Sequence, residues 1–584
     1  MTEQTGQTEQ RVDARAAAEQ WIAAFNAAFA ASDAAAAGAL FAEDGWWRDM
    51  LVSQWELQTV HGREAIVDHL APRMTHIGAL RLAIDPTYEP LAVPGAWVQA
   101  ILTFENRLGS GSAVVRLNPA EGGDFEAWTF FARLEALAGH EPTEGANRPH
   151  GVVHGGRREQ ENWLDRRTRE IEFADADPAV VIVGGGQSGL ALAAELKQIG
   201  VSALVLERNA RIGDNWRKRY RSLVLHDPVH SDHMPFLPFP STWPTFMPKD
   251  KFGDWLESYA SVLELNVWTG TEFDGAEYDE ASGGWTVEVA RDGERRTLHP
   301  RHVVLATGVS GRPKTPEIAD RAAFGGRVMH SSEFADGADF RGQKVIIVGA
   351  SNSAHDIAHD LAEHGVPVTM VQRSATQVAT SKHMFDVLFE GMYGEGANVR
   401  HGDLLASSFP LPVLFQLHGE LAFPEIQRRD AEMIAGLKAA GFQFNPTGIQ
   451  ELFYRRGGGY YINVGAADAI IDGRVRMRPG VEVARFTPTG VEYTDGTAED
   501  ADTVIFATGY GNVREVVGEL FGEAARERCV DVWGVDEGDE IRGVWRPTGQ
   551  PGLWVMGGNL ILVRQQARIL ALQLRAAESG LITA

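Results

Sequence analysis

The chain of 584 residues contains a single cysteine, Cys529. It cannot close an intramolecular disulfide, holds no redox-active cysteine pair and needs no oxidising compartment. Basic residues are also scarce. The 54 Lys and Arg against 79 Asp and Glu leave a formal charge of -25, which disfavours extended contact with nucleic acid or anionic lipid, both of which need clustered cations. No apolar run approaches the roughly 18 to 20 residues of a membrane span; the stretch FPLPVLFQL from Phe409 is short and broken by prolines. The opening MTEQTGQTEQ has neither a basic nor an apolar segment, so it does not read as a secretory signal, and a cytoplasmic protein is expected. The expected partners are small molecules or proteins, with no nucleic acid, no membrane span and no metal.

Hydrophobic residues make up 44% and charged residues 23%, as in a globular protein, and the length implies two or three domains. From Ala16 to about Ala37 the chain is alanine-rich, and Trp21, Ile22, Phe25 and Phe29 recur at helical spacing. After LFAEDGWWRDM and a second helical piece, AWVQAILTFENRL and FEAWTFFARLEAL alternate as antiparallel strands do. An α+β domain over 1–150 follows. This layout, with LFAEDGWWRD, resembles the NTF2-like (SnoaL-like) cone. Asp44 and Asp49 are the acids that would serve as a base were this domain catalytic, but Arg48 beside Asp49 points to a structural ion pair and to a binding or oligomerisation module. Residues 151–177 read as a linker. His140, His150 and His154 around it follow no metal-ligand spacing.

Next comes AVVIVGGGQSGLALAAELKQIGVSALVLERN, which reads as strand, glycine turn, helix and strand. Gly184, Gly186 and Gly189, with Ser188 among them, fit G-x-G-x-x-G, and Gly200 closes the helix. The glycines permit the tight turn, the approach of backbone to a pyrophosphate and close helix packing, while Glu207 ends the second strand where a carboxylate accepts from ribose hydroxyls. A second unit, KVIIVGASNSAHDIAHDLAEHGVPVTMVQRS, holds Gly349, Ser351 and Ala354 at the glycine positions, with Asn352 and Ser353 opening its helix. Here the terminal acid is replaced by Gln372, Arg373 and Ser374, so a ribose 2′-phosphate meets a guanidinium and a hydroxyl. NADPH is expected in preference to NADH, which stays open as the alternative donor. Two turns, at Gly308 (VVLATGVSGRP) and Gly509 (TVIFATGYG), each end an apolar strand and suit points where the chain leaves a domain near a cofactor.

Between the two units, FGGRVMHSSEF shows no hydrophobic period of a helix or strand. Its Phe324, Gly326, His330 and Phe334 match F-x-G-x-x-x-H-x-x-x-(Y/F), the fingerprint of flavin-containing monooxygenases and their Baeyer–Villiger relatives. GDNWRKRYRSLVLHDPVHSDHMPFLPFP and YYINVGAADAIIDGRVRM resemble further segments of that family, of class B flavoproteins and of the plant indole-pyruvate monooxygenases, and the N-terminal extension resembles the type II group. The resemblance implies an α/β protein with two Rossmann-like domains: FAD-binding over 178–340 and 506–584, NADP-binding over 341–505 with a helical insertion, both preceded by the cone. It implies His330 as an organiser of a hinge between domains rather than an acid or base.

The resemblance further implies that NADPH reduces FAD and that O2 then forms a flavin C4a-(hydro)peroxide. One oxygen passes to sulfur or nitrogen, or the peroxide attacks a ketone in a Baeyer–Villiger reaction. Water must be excluded. His226 stands where amine-oxidising members carry an asparagine, Asp227 is the neighbour expected to hold its imidazole, Trp216 covers part of the flavin site, and Arg564 approaches the isoalloxazine. A homodimer is expected. The alternative is an NAD(P)H oxidase or reductase without oxygen insertion; a disulfide reductase is discounted because Cys529 has no partner.

Overall fold

A computed structural model describes residues 13–120, 124–151 and 161–582; His154 lies outside the described residues. The chain divides into two compact units, one of Met1–Asn147, Ala397–Val413 and Glu537–Glu540, the other of Arg148–Gly396, Leu414–Asp536 and Ile541–Ala584.

In the first unit the expected helix runs over Ala14–Ala30, opened by the Asp13 side chain, which accepts from Ala16 N. Trp21, Ile22, Phe25 and Phe29 are its buried face, and Phe25 stacks on Phe29 at 4.5 Å and packs on Phe130 at 5.3 Å. The strands run in the order Leu57–His61, Phe41–Met50, Phe125–Leu137, Gly109–Pro119, Val98–Glu105 and Arg81–Ile84. All pairs along this path are antiparallel except Phe41–Met50 against Phe125–Leu137. Both alternating stretches read from the sequence are therefore strands, each beside Gly109–Pro119.

Successive side chains of a strand point to opposite faces, and this separates Arg48 from Asp49. The expected ion pair between them does not form. Asp49 shares a face with Trp47, whose Nε1 donates to Asp49 Oδ2 at 3.2 Å, and it accepts from the amides of Val52 (2.8 Å) and Ser53. Arg48 turns the other way, where Nε and Nη2 donate to the two oxygens of Glu540 at 2.7 and 2.6 Å and Nη1 to Ser407 O at 2.5 Å. On that face Arg116 donates to Ser408 Oγ at 2.9 Å and lies 3.5 Å from the Phe409 ring centroid. The sheet thus buries one face under its own helix and the other under two segments that enter late in the chain.

In the second unit, two parallel five-stranded sheets follow from the two glycine units. The first runs Val267–Trp268, Ala203–Leu206, Val180–Val183, His302–Leu305, Leu553–Val555. The second runs Arg327–His330, Thr503–Phe506, Val345–Val348, Val368–Gln372, Val475–Pro479. Short β-branched runs buried on both faces are what such sheets require. The stretch read as lacking a strand period holds one after all: Arg327–His330 is an edge strand of the second sheet, parallel to Thr503–Phe506. Four residues at an edge need only one buried pair, supplied by Met329 and His330, so no alternation shows in the sequence.

Candidate functional site

Each glycine unit builds the same device. Gly184 adopts φ +116°, and a Cβ there would lie 2.6 Å from Ala306 O; Gly349 adopts φ +129°, with 2.3 Å to Ala507 O. Each is a left-handed position crossed closely by one of the two turns that end at Gly308 and Gly509. The helices that follow, Gln187–Gln198 and Asn352–Glu363, begin at Gly186 and Ser351 with no side-chain cap. Both residues have negative φ, so serine is tolerated in the second unit. Ser188 and Gly189 lie buried in the first turn of the first helix, and Ala354 in that of the second. Uncapped amides at a helix N-terminus are donors aimed at an anion, so both turns fit a pyrophosphate.

Glu207 is buried and accepts from Gly185 N (3.0 Å) and from Asn209 N and Nδ2 (2.7 Å each). It braces the first turn while keeping acceptor capacity, since a carboxylate offers about four lone-pair sites. At the matching strand end, Gln372 is tied to the Gln443 backbone by two 2.8 Å bonds, whereas Arg373 and Ser374 are exposed.

The two crossing segments are joined. Gly511 exchanges backbone bonds with Gly311 and Arg312 at 2.8 Å, and Gly509 O accepts from Lys314 N at 2.9 Å. The His330 ring meets the same carbonyl, Nε2 to Gly509 O at 3.0 Å, with Nδ1 against Ser332 Oγ at 2.9 Å. Burial lowers the His330 pKa, which favours the neutral ring donating to the carbonyl. Phe324 packs on Phe486 at 5.3 Å and Phe334 on Phe340 at 5.5 Å, and Gly326 directly precedes the edge strand.

A cavity of about 250 Å³ opens between the helix starts, with Gln187 on one side and Asn352 and Ser353 on the other. The stretch from Trp216 to Asp232 and the start of the C-terminal helix Leu560–Glu578 complete it. Trp216 Nε1 donates to Gln187 Oε1 at 3.1 Å. The His226 imidazole is not held by Asp227. Its Nε2 lies 3.5 Å from Asp356 Oδ2, while Asp227 turns to Asn559 Nδ2 at 3.4 Å, because adjacent residues in this turn diverge. Burial opposes protonation of His226, but the Asp356 carboxylate, helped by Asp227, outweighs it and raises the pKa. Burial raises the Asp227 pKa and pushes that of Asp232 well up. Arg564 donates to the carbonyls of Ser231 (2.8 Å) and His233 (2.6 Å), so it secures this segment to the C-terminal helix and is absent from the cavity lining.

Sequence reasoning missed Tyr220, Asp232, Asp356 and Asn559. Asp356 carried a faint signal, as a carboxylate one turn into an otherwise packed dinucleotide helix.

A family model for the pyridine nucleotide-disulphide oxidoreductases matches residues 181–387. The indole-3-pyruvate monooxygenase YUCCA1 of Oryza sativa subsp. japonica is 36% identical over 335 residues, 57% of this chain and 77% of that protein. The chain belongs to the flavin-containing monooxygenases. A probable indole-3-pyruvate monooxygenase of Arabidopsis thaliana is 33% identical over 335 residues, 56% of this chain and 75% of that protein. An open crystal structure of cyclohexanone monooxygenase shares the fold at TM-score 0.51 and 17% identity, covering 69% of this chain and 88% of that one. This flavin-containing monooxygenase is an NADPH-consuming enzyme with FAD and NADPH as cofactors, and it inserts oxygen, against the oxidase alternative. The disulphide label reflects the shared fold, since Cys529 has no second cysteine.

Proposed function

We propose that the cavity between the two dinucleotide turns is where NADPH, FAD, O2 and a small organic substrate meet. The observation that carries this is the shared lining: Gln187, the first residue of one dinucleotide helix, and Asn352 and Ser353, the first two of the other, face one cavity. FAD, when bound, supplies the hydride acceptor and the means of activating O2. Gly184, Gly186, Ser188, Gly189 and Glu207 would hold it, with Trp216 and Gly308 beside it. Gly349, Ser351, Asn352, Ser353 and Ala354 would hold NADPH, with Arg373 and Ser374 at its 2′-phosphate and Gly509 at the crossing.

The rest is done by this chain's own groups. His226, whose protonated form Asp356 favours, would present a positive charge where negative charge develops. Leu223, Leu225 and Leu560 supply the apolar part of the lining, the part that would exclude water once substrate and cofactors fill the cavity. His330 fixes the crossing segments so that the domains at 178–340 with 506–584, and at 341–505, keep one alignment.

The N-terminal unit reads as an NTF2-like cone serving as a scaffold. This is supported by its helix-then-sheet order and by the sheet face carrying Arg48 and Arg116, which is covered by Ser407, Ser408 and Glu540. The reading includes a cytoplasmic homodimer, which rests on the charge and the resemblance alone; sedimentation of the purified protein tests the assembly. The test of the catalytic reading is NADPH consumption and peroxide release with a thioether or a cyclic ketone, where oxygenated product at the expense of peroxide supports it and full uncoupling with both counts against it.

A further inference from the structure

Asp232 is 1% exposed and lines the cavity, yet its Oδ1 has no hydrogen-bond partner. A buried carboxylate oxygen left without a hydrogen-bond partner is costly. It is tolerable when the group stays protonated or when something else meets it. The groups around it favour the proton. Burial comes first, then the repulsion of Asp227, and only Arg564 opposes them, while that guanidinium is already committed to two carbonyls. Asp227 in turn faces His226, Asn559 and Tyr460. The remaining charges on the cavity are Arg219 and Asp356, the second engaged with Tyr220 and His226. Two neighbouring buried acids hold a proton between them.

We propose that Asp232 is a specificity-determining residue that donates a hydrogen bond to an acceptor oxygen of the substrate bound in this cavity, with Asp227 as the neighbour that keeps a proton on the pair. A buried neutral carboxylic acid is a strong donor to an oxygen that gains negative charge. A substrate with such an oxygen is thereby preferred over one without it, because the latter leaves the donor unpaired. This rests on the reading of the cavity as the oxygenation site.

The test uses the FAD-loaded enzyme and two probes, cyclohexanone, which has an acceptor oxygen, and methyl phenyl sulfide, which has none. Dissociation constants are read from the flavin absorption between pH 6 and 10 for wild type, Asp232→Asn and Asp232→Leu. In wild type, cyclohexanone binding should weaken as rising pH ionises the pair, and sulfide binding should not. Asp232→Asn keeps a donor that cannot ionise, so ketone affinity should stay within about threefold and lose its pH dependence. Asp232→Leu should lose about tenfold in ketone affinity with sulfide affinity unchanged. Should Asp232→Leu fail to retain FAD, the comparison of wild type with Asp232→Asn decides. Equal pH dependence in those two, or parallel changes for both probes, would overturn the proposal. Failure of the underlying reading shows separately, as wild-type enzyme that oxidises NADPH but oxygenates neither probe.

Discussion

The Tyr220 hydroxyl donates to Asp356 Oδ2 at 2.5 Å, and the same oxygen lies 3.5 Å from His226 Nε2. One carboxylate on the second dinucleotide helix therefore holds two residues of the flavin-side segment. Asp356→Asn removes the main attraction that raises the His226 pKa and leaves burial, which lowers it, opposed by Asp227 alone. The alkaline limb of the pH profile for flavin reduction by NADPH should move to lower pH, because the protonated ring is lost earlier as pH rises, with a rate loss of about tenfold at neutral pH. An unchanged profile would separate His226 from the chemistry.

The crossing at each glycine turn leaves no room for a methyl group. In Gly184→Ala the Cβ would stand 2.6 Å from Ala306 O, and in Gly349→Ala 2.3 Å from Ala507 O, both at positive φ. The first variant should be purified without FAD. The second should keep FAD and lose NADPH-driven reduction by at least about tenfold, since strain of this kind costs about 1–3 kcal/mol or more. Flavin content and stopped-flow reduction distinguish the two.

Within the N-terminal unit, the buried pair Arg48–Glu540 has side chains 8% and 2% exposed, and Glu540 also accepts from Thr59 at 2.9 Å. Arg48→Met alone strands the carboxylate and should cost about 3–5 kcal/mol, whereas the double variant Arg48→Met, Glu540→Leu should recover part of it. Urea unfolding measures both. Equal costs would mean that the pair's charge is not what matters.

Acid sensitivity of the fold has a source in His355, buried on the second dinucleotide helix and stacked on Tyr461 at 4.0 Å. Burial lowers its pKa from 6.5 to about 4. The unfolded chain takes up the proton first, so the stabilisation is complete above pH 6.5 and is lost as pH falls through 4. Relative to His355→Phe, wild type should lose roughly 3 kcal/mol across that window. His69 and His418, also lowered to about 4, steepen both curves alike, so the difference between them reports His355.

What the sequence made legible was whatever local geometry dictates. The spacing of Gly184, Gly186 and Gly189, and of Gly349 with Ala354, encodes a strand, a turn and a helix because few other residues fit those turns. The role of His330 was legible through its fingerprint, although the edge strand it ends was not. Asp356 stayed hidden because its partners, Tyr220 and His226, lie far away along the chain. The same holds for Arg48, where the adjacent Asp49 suggested a pair that strand alternation forbids, and the true partner is Glu540, 492 residues on. Long-range packing of this kind leaves no periodicity to read.

The most direct measurement is an anaerobic titration of the purified protein with NADPH, followed by its visible spectrum. One FAD per chain, bleached by one equivalent of NADPH and restored by O2 with oxygenation of an added substrate, is the predicted result. Folded protein that takes up no flavin, or a flavin that NADPH does not reduce, would contradict it.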